Sequence, residues 1–304
     1  MPFLFSRRPS TPGLLAALCL LATPPRALHS ASSPATVLRP KITGRPAQLA
    51  LAALVAAVAQ SPLQAVEPAI ASATMSLGAK SALAKKDPVK ILMIGDSMSV
   101  GGFGDSMQEF LQRHYGRVAL YASCGSSPES WLRGEPDFVT KCGYRATTPL
   151  KKYFTDFTDG HKPNPTVTPK LEDLLAYHTP SVVIIQLGTN WMDGLESKNF
   201  AAEEPKYRAI LAKFDAQLRS ARSVKQVFWI PPPDSSRYTS GTERNVEQLI
   251  CTASNKYGYT EVKNGKPMTT YIAGQTGGDG VHYRNEDARV WAGKVEDFLR
   301  GRIR

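Results

Sequence analysis

The heptapeptide SVVIIQL, residues 181–187, is the most strongly apolar strand-like segment of the chain. Its apolar side chains occupy successive positions, which is typical of a parallel strand buried on both faces. Gly188-Thr189-Asn190 follows it at once. A second apolar run, residues 89–94, leads in the same way into Gly95-Asp96-Ser97. The two segments predict buried strands that each end in a polar turn.

Strand-like and helix-like segments alternate over the rest of the body of the chain. Three further strands are predicted at residues 117–122, 226–230 and 268–272. Apolar residues at helical spacing predict helices over residues 103–115, 171–177, 207–221, 246–257 and 287–300. This alternation predicts an α/β domain over residues 89–304, in which helices cover both faces of a parallel sheet.

Residues 134–170 interrupt the alternation. The segment is rich in Pro, Thr, Lys and aromatic residues and shows little periodicity. Connections this long are usually functional or disordered. We interpret the segment as an insertion that walls a binding cleft.

The positive charge of the chain is concentrated near its N-terminus. The 304 residues include 37 Lys and Arg against 26 Asp and Glu, a net charge of +11. Residues 1–65 contain six of the basic residues and no acidic one, which leaves 31 basic and 26 acidic side chains, or +5, for the rest. A residual charge this small does not indicate a nucleic-acid partner. No apolar run reaches the roughly 18 to 20 residues of a stable membrane span.

Residues 1–65 have the pattern of a leader that is removed or disordered. Two short apolar runs, residues 13–22 and 49–59, each follow basic residues and precede small ones, as in a secretory signal peptide. We expect the second run to be the working signal, with cleavage after Ala65, and the protein to be exported to the periplasm or secreted. Residues 66–88 are predicted to form a flexible linker. A transit peptide or a low-complexity tail is the alternative interpretation.

Chemistry-bearing residues fall at the ends of predicted strands or in a late loop. Ser97 begins a helix, where free N–H groups favour negative charge, although a serine there also fits a simple N-cap. Asn190 can donate an amide N–H at the end of its strand, or merely complete a turn. Asp279 lies three residues before His282, a spacing that brings a carboxylate to Nδ1 and leaves Nε2 free to accept a proton. Gly125, after the second strand, allows close backbone approach to a ligand.

Together and in this order, these four segments resemble the blocks of the SGNH (GDSL-type) hydrolase superfamily, over about residue 89 to the C-terminus. The resemblance implies a flavodoxin-like α/β/α sandwich with a central five-stranded parallel sheet, and ester hydrolysis through an acyl-serine intermediate. It implies that Ser97 is the nucleophile, His282 the base and Asp279 the residue that orients the base. The oxyanion hole would then consist of the Ser97 and Gly125 backbone N–H groups and the Asn190 side chain.

The insertion and its flanks suggest the kind of substrate. Trp191 stands where the family commonly has an aspartate, so the resemblance says less about the local loop and the substrate. Aromatic residues stand among Lys and polar residues, a mixture that suits sugar rings better than a lipid surface: Trp131, Phe138, Tyr144, Tyr153 and Phe154. We therefore expect an O-acetyl esterase that acts on an extracellular carbohydrate, as a small molecule or a polysaccharide.

Other functions stay open at this point. An O-acyltransferase that modifies a glycan would use the same triad, and a lipase or thioesterase of the same superfamily would differ only in its acyl pocket. A glycan-binding module without activity is a further alternative, although no triad residue is missing. The mechanism needs no cofactor or metal, and the sequence has no Cys/His cluster typical of zinc sites. Cys124 and Cys142 could pair in an oxidising compartment or be two separate buried cysteines.

Overall fold

The polar turns that follow the predicted strands lie along one edge of a mixed sheet in the computed structural model. The structure describes residues 89–155, 166–196, 198–262 and 268–304. Within these ranges the sheet has seven strands, β1 (Lys90–Gly95), β2 (Arg117–Ser123), β3 (Tyr144–Thr147), β4 (Lys152–Thr155), β5 (Val182–Gln186), β6 (Gln226–Trp229) and β7 (Thr260–Glu261). Their order is β4-β3-β2-β1-β5-β6-β7. The five strands from β2 to β7 in this order are parallel, and β3 and β4 add to the β2 edge in antiparallel fashion.

Helices connect the parallel strands and pack on the sheet. They are α1 (Ser97–Val100), α2 (Gly102–Tyr115), α3 (Leu171–His178), α4 (Thr189–Leu195), α5 (Phe200–Ser220), α6 (Ser240–Tyr257) and α7 (Asn285–Leu299), and a short 3₁₀ helix spans Pro128–Trp131. Side-chain caps start three of them, because Asp96, Asn199 and Thr239 each accept a backbone N–H from the first turn.

The central strands are apolar on both faces because each face is covered by a different helical layer. Ile91 and Met93 of β1 join one core cluster with α2 and α7, where Phe103 stacks on Trp291 at 3.8 Å between ring centroids. Leu92 and Ile94 join the opposite cluster with α3, α5 and α6. The observed architecture is therefore the expected α/β/α sandwich, with the polar turns left uncovered at the carboxyl ends of the strands.

The structure corrects the predicted strands in two places. The expected strand at residues 268–272 does not form, because the N–H groups of Tyr271 and Ile272 bond to the side chains of Asp234 and Thr276. The two-residue β7 takes the fifth parallel position instead. The insertion contains the hairpin β3–β4, so the sheet has seven strands rather than five. Each hairpin strand has only four residues, too few for a recognisable alternation of apolar and polar side chains.

The predicted leader at residues 1–65 and linker at 66–88 lie outside the described residues. In the ranges that the structure covers, no helix combines the length and the apolar character that a bilayer span requires.

Candidate active site

Three polar side chains from opposite ends of the domain meet at the carboxyl edge of the sheet. Ser97 Oγ lies 2.9 Å from His282 Nε2, although 185 positions separate the two residues in the chain. On the other side of the ring, His282 Nδ1 lies 2.5 Å from Asp279 Oδ2. The imidazole therefore bridges hydroxyl and carboxylate, and all three side chains are accessible from solvent. The contact between His282 Nδ1 and Asp279 Oδ2 is the one that the spacing of these two residues predicted.

Asp279 also holds its own loop in shape. Its Oδ1 accepts the backbone N–H groups of Val281 and His282, at 2.9 and 2.8 Å. Partial burial pushes the pKa of Asp279 upward, but the hydrogen bonds from His282 and from these backbone groups outweigh it and lower the pKa to about 2. The carboxylate is therefore ionised at any ordinary pH and accepts the Nδ1–H of the ring.

The loop after β6, which contains Ser235 and Ser236, is hydrogen-bonded to the loop that carries His282. The carbonyl of Gly280 accepts the Ser235 hydroxyl at 2.5 Å and the backbone N–H of Ser236 at 2.9 Å. The Gly280 N–H donates to the hydroxyl of Tyr271 at 2.9 Å. Gly280 has φ +85°, and a Cβ there would lie 3.0 Å from the Arg237 side chain, so a larger residue would displace the loop. The sequence had not indicated these anchoring residues.

Ser97 is presented by the tight turn between β1 and α1. It is the first residue of α1, so its backbone N–H belongs to the first helical N–H groups, which have no intrahelical acceptor. Asp96 precedes it as the N-cap, and its Oδ1 accepts the N–H of Met98 at 3.0 Å. The hydroxyl and the free N–H of Ser97 therefore open on the same edge of the sheet.

Gly125 lies in the loop after β2 and Asn190 in the first turn of α4, the segments that follow the two strands next to β1. Gly125 has φ +83°, and its N–H has no acceptor among the described residues. Asn190 donates one amide N–H to the carbonyl of Ser126 at 2.8 Å, which ties the two loops together and leaves the second amide hydrogen for another acceptor. The structure thus joins the loop that carries Gly125 to the first turn of α4, next to the turn that carries Ser97.

A disulfide stiffens the loop that carries Gly125. Cys124 and Cys142 are bonded, with their Cα atoms 5.3 Å apart. The backbone N–H of Cys124 also donates to Gly143, and that of Lys141 donates to Cys124. Of the two alternatives left open by the sequence, the structure contains the pair.

Two of the aromatic residues that suggested sugar stacking are part of the core. Trp131 is fully buried and donates to the hydroxyl of Ser126 at 3.1 Å, and Tyr144 is 6% exposed. Tyr153 is exposed, Phe138 is half-buried, and the side chain of Phe154 is outside the described set. Aromatic content near the cleft therefore overstated the available stacking surface, because composition does not indicate which rings pack inward.

Trp191 and Glu129 form a contact that the sequence did not predict. Trp191 is buried, and its indole N–H donates to Glu129 Oε2 at 2.8 Å. The bond joins α4 to the 3₁₀ helix after Gly125. Trp191 is thus a packing residue between α4 and the 3₁₀ helix.

Three buried polar side chains near the Ser97 turn also escaped prediction. The side chains of Asp96, Gln186 and Thr189 are at most 5% exposed, although all three lie in the polar turns already singled out or directly beside them. Burial raises the pKa of Asp96 to about 6, against the opposing effect of its hydrogen-bonding neighbours. The signal that could have revealed it was an acidic residue between a fully apolar strand and a helix.

Comparisons with known proteins add structural neighbours but no close relative. Neither a protein-family model nor a curated protein matches this chain. The solved structure of TesA is 16% identical, and the match covers 69% of this chain and 97% of TesA with a TM-score of 0.45. The lipase/acylhydrolase from Enterococcus faecalis is 17% identical over 71% of this chain and 97% of its own, also at 0.45. A variant of Axe2, an acetyl xylan esterase from Geobacillus stearothermophilus, is 16% identical over 70% and 93%, again at 0.45.

The fold and the site geometry together define the kind of site that this domain carries. The domain is an α/β/α sandwich whose carboxyl edge carries a Ser-His-Asp line and three N–H donors, the backbone N–H groups of Ser97 and Gly125 and the side-chain amide of Asn190. No group of three or more His, Cys, Asp or Glu side chains that could hold a metal ion occurs in the described part of the chain. Such an edge can activate a hydroxyl and stabilise a developing oxyanion.

Proposed function

We propose that this chain is a serine ester hydrolase of the SGNH type, and that its substrate is an O-acetyl ester on an extracellular carbohydrate. The observation that carries the proposal is the 2.9 Å contact between Ser97 Oγ and His282 Nε2, with Asp279 on the far side of the ring. A serine hydroxyl is a weak nucleophile unless a base takes its proton during attack, and this geometry supplies the base.

The reaction follows from the positions of the groups. His282 Nε2 takes the proton of Ser97 as Oγ attacks the ester carbonyl carbon, and the tetrahedral oxyanion accepts hydrogen bonds from the Ser97 N–H, the Gly125 N–H and Asn190. Collapse of this intermediate breaks the ester bond, and the imidazolium protonates the departing alcohol. Water then attacks the acyl-serine with His282 again as base, which releases the carboxylic acid and regenerates the hydroxyl.

The choice of a short acyl group on an extracellular carbohydrate rests on different observations. The strands that precede Ser97 and Asn190 end in polar turns, and of the rings that suggested a sugar-binding surface Tyr153 is exposed while Trp131 and Tyr144 are buried. A long acyl chain would need a sizeable apolar surface. The disulfide between Cys124 and Cys142 supports the extracellular part, because such bonds persist in oxidising compartments.

The test compares the variants Ser97→Ala and His282→Ala with the parent on aryl acetate, aryl octanoate and an acetylated polysaccharide. We expect the parent to release acetate from the first and third substrates, to favour acetate over octanoate, and to carry one acetyl group on the Ser97 peptide after acid quench. Both variants should lose activity by at least about 10³-fold with unchanged circular dichroism, because nucleophile and base act as one unit.

His114→Ala is the matched control, since His114 is an exposed residue of α2. Full activity in Ser97→Ala or His282→Ala would overturn the assignment of the reaction. A preference for the octanoyl ester would overturn the acetyl part alone. Transfer of acetyl to an acceptor glycan in place of hydrolysis would favour the acyltransferase alternative.

A further inference from the structure

Arg145 is the one buried cation among the Lys and Arg residues that the structure describes. It lies on β3, inside the insertion, and is 1% exposed. A buried charge destabilises a fold unless other groups pair with it and accept its hydrogen bonds. The partners of Arg145 therefore indicate what the charge does in this domain.

The guanidinium of Arg145 joins the end of the helix that begins with Ser97 to the helix that follows it. Its Nε and Nη2 both donate to the carbonyl of Val100, the last residue of α1, at 3.1 and 2.7 Å. Nη2 also donates to Asp105 Oδ1 at 2.8 Å, and Nη1 donates to Gln108 Oε1 at 3.3 Å, both on α2. A helix has no internal donor for its last carbonyls, and Arg145 supplies one from the sheet.

The carbonyl that Arg145 holds is close in the chain to the nucleophile. The helix α1 has four residues, with Ser97 at its start and Val100 at its end, so a single turn connects the two. The next helix packs directly on this turn, because a Cβ on Gly104 would lie 1.9 Å from the carbonyl oxygen of Ser99. With so few residues between them, a displacement of Val100 moves Ser97 as well.

The backbone of Arg145 is fixed to the strand that leads to Gly125. In the antiparallel pair of β2 and β3, Arg145 lies opposite Ala122, three residues before Gly125. The disulfide between Cys124 and Cys142 joins the same two segments just beyond this pair. Arg145 thus combines a main chain fixed beside the Gly125 loop with a side chain fixed to the end of α1.

Resting on the proposed function, we propose that Arg145 is a positioning residue that sets the distance between Ser97 and the Gly125 N–H. It acts through the Val100 carbonyl at one end and through the pairing of β3 with β2 at the other. The oxyanion must accept the Gly125 N–H while Ser97 Oγ attacks, so this distance enters the transition state directly. The insertion is then part of the framework that aligns nucleophile and oxyanion donor.

Arginine suits this role better than lysine. Its planar guanidinium presents several N–H donors in fixed directions, so one group reaches Val100, Asp105 and Gln108 at once. Lysine has the same charge but carries it on a single nitrogen at the end of a flexible stem. Arg145→Lys therefore preserves the charge and removes the rigid two-point contact with the Val100 carbonyl.

The experiment compares Arg145→Lys with the parent on aryl acetate, read as kcat, KM and the pH dependence of kcat/KM. We expect kcat to fall by about tenfold or more with KM within about twofold, because misalignment of Ser97 and the Gly125 N–H affects the transition state more than binding. The midpoint of the pH dependence should stay unchanged, since the bond between His282 and Asp279 is not altered. A general disruption of the site would shift that midpoint.

Asp105→Ala is the matched control. It removes the ion pair of Arg145 but leaves both hydrogen bonds to Val100 in place. We expect it to lower the melting temperature at least as much as Arg145→Lys does, while kcat stays within about twofold of the parent. Loss of stability and loss of kcat should therefore separate between the two variants.

A kcat within about twofold of the parent in Arg145→Lys, or an equal loss of kcat in Asp105→Ala, would overturn the positioning role. If Arg145→Lys does not fold, the double variant Arg145→Met/Asp105→Leu decides, because apolar side chains of similar volume often replace a buried ion pair without loss of stability. We expect this variant to fold and still to lose about tenfold in kcat; a kcat equal to that of the parent counts against the proposal.

Failure of the proposed function is a different result, since the parent then shows no esterase activity. Hydrogen exchange still tests the contact in that case. The amides of residues 97–100 should exchange faster in Arg145→Lys than in Asp105→Ala or the parent, because only the first variant loses the rigid contact at the end of α1. Equal exchange in all three proteins would show that Arg145 does not hold α1.

Discussion

Asp279 shows how one side chain can shape a loop and orient a base. Its Oδ1 accepts two backbone N–H groups and its Oδ2 accepts the imidazole, which together outweigh burial and lower its pKa to about 2. Because the pKa in the folded protein lies below the ordinary value of 3.8, these bonds stabilise the fold above about pH 4. That contribution is lost as the pH falls toward 2.

Asp279→Asn tests the orienting role alone. An asparagine oxygen in the Oδ1 position keeps the loop bonds, while the amide nitrogen cannot accept from Nδ1–H and so favours the wrong tautomer of His282. We expect kcat on aryl acetate to fall by up to about 10⁴-fold with circular dichroism unchanged. The variant should also lose the part of the acid dependence of the melting temperature that arises below pH 4. Activity close to that of the parent would show that the carboxylate is dispensable.

At the scale of elements, the segments that form the candidate site are bonded directly to one another. The loop after β2 is bonded to α4 by Asn190, and the 3₁₀ helix is bonded to α4 by Glu129. The bond between Cys124 and Cys142 links the same loop to the segment before β3. The hairpin β3–β4 thus extends the sheet and also supports the loop that carries Gly125.

Replacing Cys142 by serine should loosen this support. The bridge closes a loop with a sequence separation of 18, for which chain entropy suggests about 3 kcal/mol of stabilisation. We expect Cys142→Ser and Cys124→Ser to lower the melting temperature by several degrees and to raise the sensitivity of activity to heat. Peptide mapping under non-reducing conditions should recover the linked peptides from exported protein. Two free thiols in that material would contradict the bond.

At the scale of the whole molecule, residues 1–65 carry six of the eleven net positive charges, and the other 239 residues carry +5. If this segment is an export signal, the mature protein carries a small net charge and reaches the compartment in which the disulfide forms. We therefore expect N-terminal sequencing of exported protein to begin at Val66. Ala65→Arg should block cleavage, since signal cleavage requires a small residue, and Ala65→Ser should preserve it. A mature chain that begins before residue 48 would contradict this interpretation.

Prediction from sequence succeeded where local pattern and packing agree. The segments at 89–94 and 181–187 are apolar on both faces and became β1 and β5, and the predicted α2 and α3 differ from the observed helices by one residue at one end. The run at 268–272 is a weaker pattern, with two threonines among its five residues, and the N–H groups of Tyr271 and Ile272 bond to side-chain acceptors instead of a neighbouring strand. Local composition does not indicate which acceptors the folded chain will offer.

The sequence alone determined which residues could carry the chemistry, because strand ends, a helix start and the spacing of Asp279 and His282 are local properties. Only the tertiary structure decided that Ser97 meets His282, that Trp131 packs inward, and that Asp96 is buried and bonded to the end of β5. These contacts join residues far apart in the chain. They depend on how the two helical layers pack against the sheet. No single segment of the sequence specifies that packing.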